Sequence, residues 1–178
     1  PYEGVTIDFE GLRAPQKEAF SDFLRQLQPA LQKLDKKLLV CVPPVLTTSA
    51  YYDGYDYRAI GELADRVILM AYGYGPQNMT GFTGTEYYKT AATTPIASVY
   101  TALKYAVSEI APSKLLLGFS AASTAWKIDE NGKLVSETPV YPSNETVIKR
   151  LSQSDTEHGW SQTYQQSYAI YRTEDGSR

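Results

Sequence analysis

Four short apolar runs, Gly4 to Phe9, Leu38 to Val42, Arg66 to Tyr72 and Lys114 to Phe119, recur along the chain with stretches of helical periodicity between them. Strands that alternate with helices argue for a parallel sheet covered by helices, because a parallel connection has to cross back over the sheet. The first helix is expected to open near Pro15, a residue preset for a first helical turn. It places Phe20, Phe23, Leu24, Leu27, Leu31 and Leu34 on one face, with Pro29 positioned to kink it. The second strand is stopped by Pro43-Pro44, since proline cannot donate to a ladder. A short helix is expected from Tyr57 to Ala64, a long Gly/Thr/Tyr-rich loop from Gly73 to Thr94, and a further helix from Ile96 to Ala111. Loops of that length are usually functional or mobile.

After Ala121 the texture changes. Lys127 to Val135, turning at Asp129-Glu130-Asn131-Gly132, reads as a hairpin, Ser143 as the cap of a helix running to about Leu151, and Tyr164 to Arg172 as a strand. Glu174-Asp175-Gly176-Ser177 is a turn signal with no second arm, which leaves that strand without an evident partner. The expected division is 1–122 for the strand-helix part and 123–178 for a small α+β subdomain truncated at its C-terminal end. No internal repeat or low-complexity tract is present.

Composition narrows the function classes. A formal net charge of −3 argues against nucleic acid or an anionic membrane surface as partner. No stretch approaches the roughly 18 apolar residues of a transmembrane helix. The lone Cys41 excludes an internal disulfide framework and reads as a small core residue. His158, the only histidine, has no Cys or His neighbours at ligand spacing and is expected to bind no metal. The chain begins at Pro1 rather than Met, so its start says little about export.

The chemistry lies in Gly4-Val5-Thr6-Ile7-Asp8-Phe9-Glu10. Side chains two apart on a strand point the same way, which puts Asp8 and Glu10 on one face roughly 6 to 7 Å apart. Val5, Ile7 and Phe9 are expected on the opposite, helix-covered face. Neighbouring carboxylates repel, and desolvation raises the pKa of at least one, which is what a general acid requires near neutral pH. The bland alternative is a strand end carrying one helix-capping acid and one surface ion pair.

The surrounding residues resemble a known pattern. Tyr2 to Glu10 is similar to the D-G-x-D-x-D-x-E signature of glycoside hydrolase family 18, with Glu3 and Thr6 standing where aspartates are usual. Val67-Ile68-Leu69-Met70-Ala71-Tyr72 resembles the family's M-x-Y-D strand, with Gly73 in place of the acid, and Lys114 to Phe119 resembles its seventh barrel strand. The resemblance implies a partial TIM (β/α)8 barrel of about four parallel βα units, covering strands four to seven, followed by the family's α+β insertion. A full barrel needs about 250 residues, so self-association of the incomplete barrel is a further expectation.

The resemblance also implies a chitinase-like or cell-wall-lytic activity on glycans containing β-linked N-acetylglucosamine, either chitin or peptidoglycan. That activity needs no metal or organic cofactor, and the setting is extracellular or associated with cell wall or spore. Glu10 takes the proton-donor position, Asp8 the preceding acid, and Tyr72 the hydrogen-bond donor to the substrate's acetamido oxygen. Met70 is expected to line the pocket or belong to the core. Trp126 is expected to stack on a sugar or anchor the insertion hairpin. Tyr51, Tyr52, Tyr55, Tyr57, Tyr87 and Tyr88 form a glycan-binding rim or pack on the scaffold. Thr6 and Gly73 keep a second reading open, a glycan-binding module whose catalysis has decayed.

Overall fold

A computed structural model of the chain describes residues 2–46, 52–75, 78–136 and 138–173. The chain divides into two compact units, Pro1–Tyr72 with Ser98–Phe119, and Gly73–Ala97 with Ser120–Arg178.

The first unit is a four-stranded parallel sheet in sequence order, β1 (Gly4–Ile7), β2 (Lys37–Val42), β3 (Arg66–Leu69) and β4 (Leu115–Leu117). The register aligns Ile7 with Val40, Val40 with Val67, and Val67 with Leu115. That row, together with Leu38, Val42 and Leu69, forms the helix-covered side, and Val40, Val42, Val67 and Leu69 are fully buried there. The sheet does not close on itself, as expected of a partial barrel.

The strands are shorter than the sequence suggests. Pairing ends at Ile7, Leu69 and Leu117. Single bonds from Met70 N–H to the Val42 carbonyl (3.0 Å) and from Gly118 N–H to the Leu69 carbonyl (2.8 Å) hold the tips together beyond that point. Val5 and Phe9, expected to be buried, are 40% and 47% exposed. The reason is that β1 pairs only with β2 among the described residues and lacks cover on its other side. Phe9 still meets the helical layer, its ring 5.6 Å from Phe23 and 5.8 Å from Phe20.

Helix α1 (Lys17–Gln32) follows a 3-10 turn at Ala14–Gln16, where the Arg13 N–H donates to the Gln16 side chain at 2.9 Å. Phe20 and Leu24 are its buried contacts. Leu34 lies past the helix end and is exposed, and Pro29 is accommodated three residues before that end. Helix α2 (Tyr57–Leu63) starts at Asp56, whose carboxylate accepts from the Ala59 N–H at 3.0 Å. At its other end the Lys114 ammonium donates to the carbonyls of Gly61, Glu62 and Ala64 at 2.7, 3.3 and 2.9 Å. Three carbonyls that a helix terminus leaves without partners are thereby satisfied by one cation of favourable sign.

The second half of a long helix, Ile96–Glu109, packs on α2. The Tyr57 and Tyr105 rings meet edge to face at 5.2 Å, and Arg58 pairs with Glu109 at 3.2 Å. Close approach depends on Gly61, where a Cβ would sit 2.9 Å from the Ile110 side chain. At the opposite end of the sheet from the acids, Asp65 accepts from the Leu38 N–H at 2.9 Å and pairs with Lys37 at 3.4 Å. Its carboxyl is held below 3.8, first by the Leu38 N–H and then by Lys37.

The second unit contains structure that the loop reading missed. Residues Thr80–Phe82 form a 3-10 turn and Glu86–Thr90 a short helix, α3, capped by Thr85, which accepts from the Tyr88 N–H at 3.2 Å. Met79, Tyr87 and Ala92 form a small core, with Trp126, Leu134, Tyr88 and Tyr164 packed around it. The hairpin at 127–135 is present as a bridge between Ile128 and Leu134, with Gly132 in the left-handed region at φ 77. Naming the long helix Ile96–Glu109 α4 by chain order, the next, α5 (Asn144–Leu151), begins as expected at Ser143, whose hydroxyl accepts from the Thr146 N–H at 3.2 Å.

The strand expected at Tyr164 to Arg172 is β6 (Gln166–Ile170), and its partner lies upstream rather than downstream. This is β5 (Glu157–Ser161), antiparallel, with Gly159 opposite Tyr168. That glycine makes room for the ring, since a Cβ there would lie 2.2 Å from the Tyr168 side chain. The Glu174–Ser177 turn signal lies outside the described residues.

Candidate active site

Asp8 and Glu10 follow directly on β1, at the C-terminal end of the sheet. Because Ile7 is in register with Val40, the next step along both strands sets Asp8 beside Cys41, which is itself aligned with Ile68 of β3. On β2, Val40 and Val42 point to the helices, so Cys41 between them points to the other face. Cys41 is 8% exposed there.

The electrostatics of the neighbouring weak acids report how these groups are gathered. Burial pushes the Cys41 thiol up to about 11, helped by the Asp8 charge, a hydrogen bond with Asp8, and the Glu10 charge. Burial also raises Tyr72, followed by Cys41, Asp8 and Glu10 as nearby negative groups. Tyr55 is raised mainly by burial, against the Leu12 N–H that opposes the shift, with Glu10 and Asp8 adding to it. Five side chains, Asp8, Glu10, Cys41, Tyr55 and Tyr72, therefore share one local field. Both carboxylates are exposed, so the described residues do not supply the enclosed setting that the sequence reading attached to the acid pair.

Tyr72 leaves the end of β3 with its ring against Gly118, where a Cβ would sit 3.2 Å from ring carbon Cε1. Met70 is half-buried and lies by alternation on the Ile68 side of the sheet. Gly73 follows at φ 73 with no atom within 4 Å of a Cβ placed on it, so the position usual for an acid is open.

Two further members were expected in other terms, Cys41 as a small core residue and Tyr55 in a glycan rim or packed on the scaffold; Cys41 is buried and Tyr55 packs on the scaffold. Tyr55 donates its hydroxyl to the Phe9 carbonyl at 2.7 Å, between the two acids, and accepts from the Leu12 N–H at 3.4 Å. Its ring meets Phe20 edge-on at 5.9 Å. It is a clasp that fixes the backbone of the acid-bearing segment. Its neighbour Gly54 is needed for the approach, because a Cβ there would overlap the Leu12 carbonyl carbon at 2.3 Å. Alternation along β2 was the available signal for Cys41.

The other tyrosines divide. Tyr57 donates to the Pro43 carbonyl and Tyr87 to the Ala92 carbonyl, and both are buried against the scaffold. Tyr52 and Tyr88 are half-buried, and Tyr51 lies outside the described residues. Trp126 belongs to the second unit and packs on its Met79-Tyr87-Ala92 core. Among the described residues no three His, Cys, Asp or Glu side chains are gathered to hold a metal ion.

Comparison with known proteins places the chain. A cortical fragment-lytic enzyme of Bacillus subtilis (strain 168) is 25% identical over 180 residues, 99% of this chain and 39% of that protein. The spore cortex-lytic enzyme SleL of Bacillus megaterium QM B1551 superposes with a TM-score of 0.78 at 28% identity, over 98% of this chain and 38% of the other. A chitinase of Chromobacterium violaceum ATCC 12472 shares the fold, with a TM-score of 0.76 at 22% identity over 99% of this chain and 51% of the other. The chain thus spans about two fifths of the length of the curated relative matched over its whole extent. The family model for Glycosyl hydrolases family 18 matches residues 1–175. A match running through both units, from the strand that precedes the acids to the end of the hairpin, assigns the chain to glycosyl hydrolase family 18.

Proposed function

We propose that this chain carries the proton-transfer machinery of a retaining glycoside hydrolase that cleaves β-linked N-acetylglucosamine glycans by substrate assistance. What supports the reading is the placement of Asp8 and Glu10 beyond the end of β1 and of Tyr72 beyond the end of β3, at the C-terminal tips of the sheet strands, where barrel enzymes keep their chemistry.

In the first step the Glu10 carboxyl gives its proton to the glycosidic oxygen as the bond to the anomeric carbon breaks. The substrate's acetamido oxygen forms the new bond to that carbon, a route by which this family differs from hydrolases with an enzymic nucleophile. Asp8 accepts from the acetamido N–H and offsets the positive charge of the oxazolinium-like intermediate. Tyr72 donates to the acetamido oxygen and orients it. Water then attacks the anomeric carbon, gives a proton to the Glu10 carboxylate, and displaces the acetamido oxygen. Two inversions at one carbon give retention.

Peptidoglycan is the favoured polymer, because two of the similar proteins are named for cortex lysis, and chitin is the other candidate. A cell-wall or spore setting follows from the same substrate. A second reading, a glycan-binding module without turnover, is favoured by Thr6 in the signature and by the open Gly73 position.

The test is release of chromophore from a chitobiose substrate, and of reducing ends from purified peptidoglycan, by the longest form of the protein the gene encodes. Wild-type turnover that falls by about 10² to 10⁴ in Glu10→Gln supports the hydrolase. An inert wild type that still binds the glycan replaces it with the binding module.

A further inference from the structure

The second unit holds a cavity of about 870 Å³ that the proposed mechanism does not use. Its wall combines the aromatic rings of Trp126, Tyr168 and Tyr171 with two cations, Lys89 and Arg150. Pockets of this size hold small ligands, and aromatic faces next to a few placed polar groups are the usual way to orient them.

The cations are held by rings, and among the described residues neither has a carboxylate at ion-pair distance. The Arg150 guanidinium lies over the Tyr171 ring at 4.7 Å and donates one N–H to the Tyr171 hydroxyl at 2.8 Å. Lys89 lies over the Tyr168 ring at 5.5 Å. Neither forms an ion pair among the described residues. The acid in the same wall, Glu130, already faces Arg172 at 3.7 Å, and Glu86, whose charge Lys89 feels, accepts from the Ser161 and Thr163 hydroxyls. A planar guanidinium stacked on a ring and bonded through one nitrogen keeps its other donors free for the two oxygens of a carboxylate.

We propose that this cavity binds a pyranose bearing a carboxylate, its ring face on the aromatic wall and its carboxylate on Arg150 and Lys89. The inference rests on the glycan reading above and deepens it. Of the candidate polymers, peptidoglycan alternates N-acetylglucosamine with the same sugar carrying a lactyl ether, whose carboxyl is a free carboxylate where no stem peptide is attached, so the cavity selects such stretches of peptidoglycan over chitin. Trp126 thereby faces a ligand from the outer side of the core that it also anchors.

The test uses the chain as it stands, with Trp160→Phe leaving Trp126 as the remaining tryptophan; Trp160 is 53% exposed and does not line the cavity. N-acetylmuramic acid and N-acetylglucosamine, which differ by the lactyl ether that carries the carboxylate, are titrated separately while Trp126 emission is followed. The expected result is saturable quenching by the acidic sugar, at least tenfold weaker response to the neutral one, and a loss of about tenfold or more in Arg150→Met. Lys89→Met, a change at an exposed residue, is expected to weaken the acidic sugar alone, and circular dichroism checks that each variant is folded. Equal affinity for the two sugars, no response to either, or unchanged binding in folded Lys89→Met and Arg150→Met overturns the proposal. Its failure is separable from that of the hydrolase reading, since turnover lost in Glu10→Gln together with a silent Trp126 would keep the enzyme and remove the cavity.

Discussion

The sheet unit and the hairpin unit bury their side chains by different means. The first closes on aliphatic residues with no measurable exposure, Leu24, Val40, Val42, Ile60, Val67 and Leu69. The second centres on Met79, Tyr87 and Ala92 and is held by ring geometry and hydroxyl bonds. Tyr87 meets Tyr164 edge-on at 5.3 Å and donates to the Ala92 carbonyl at 2.7 Å, while Tyr88 donates to the Gly132 carbonyl at 3.0 Å. Close-packed aliphatic layers fix backbone positions to within a methyl group. Aromatic corners fix directions and leave room between them, and the large cavity lies in the second unit.

That contrast can be broken from either side. The largest stability effect is expected in the sheet unit, where Ile60→Ala opens a cavity in a fully buried site and costs about 2 to 5 kcal/mol in urea denaturation. Within the same unit Lys114→Met is expected to cost about 1 to 2 kcal/mol, because it strips three carbonyls at the α2 terminus of their shared donor; Lys114→Arg should recover most of the loss.

In the hairpin unit Gly159→Ala forces a Cβ into the Tyr168 ring and is expected to cost about 1 to 3 kcal/mol. Its signature is a change in the aromatic circular dichroism. If the ring swings clear at no cost, the hairpin is looser than its register implies. Tyr87→Phe removes one buried hydroxyl bond, about 1 kcal/mol by the same denaturation.

The smallest effect is a pH dependence. The Asp65 carboxyl is held below its ordinary 3.8 in the folded chain, so the stability it contributes is complete above that value and lost as pH falls through the folded-state pKa. Asp65→Asn should therefore lower stability modestly at neutral pH and flatten the acid limb, its profile converging on that of the wild type once Asp65 is protonated, as urea denaturation across pH would read. Asp65 is partly exposed, which keeps the effect modest.

Much of this was legible in the residue order. Apolar runs separated by amphipathic stretches pointed to the parallel sheet and its helices, the family resemblance to the partial barrel, and the Ser143 cap to the start of α5. Strand ends were overcalled, because an apolar residue past the last ladder bond looks the same in sequence as one inside it; Ala71 is buried without belonging to β3. Strand β5 was hidden, since Glu157-His158-Gly159-Trp160-Ser161 carries polar residues and a glycine whose purpose is visible only when Tyr168 lies across from it. Helix α3 is five residues long, too short for a periodicity to register against the loop around it.

At the site, the alternation of Asp8 and Glu10 was readable, whereas the roles of Cys41 and Tyr55 were not. Alternation along β2 could assign Cys41 a face, but not the carboxylate that the next strand sets beside it. A tyrosine 46 residues from Phe9 in sequence gives no hint that its hydroxyl ends on the Phe9 carbonyl.

Strand β2 separates tolerance to substitution by parity. Its even positions, Leu38, Val40 and Val42, are committed to the helical layer, while odd position Cys41 looks toward the acids. Even positions therefore accept only swaps of nearly equal volume, whereas a change at Cys41 is felt first by the carboxylates beside it. One pleat thus keeps two kinds of constraint apart within six consecutive residues.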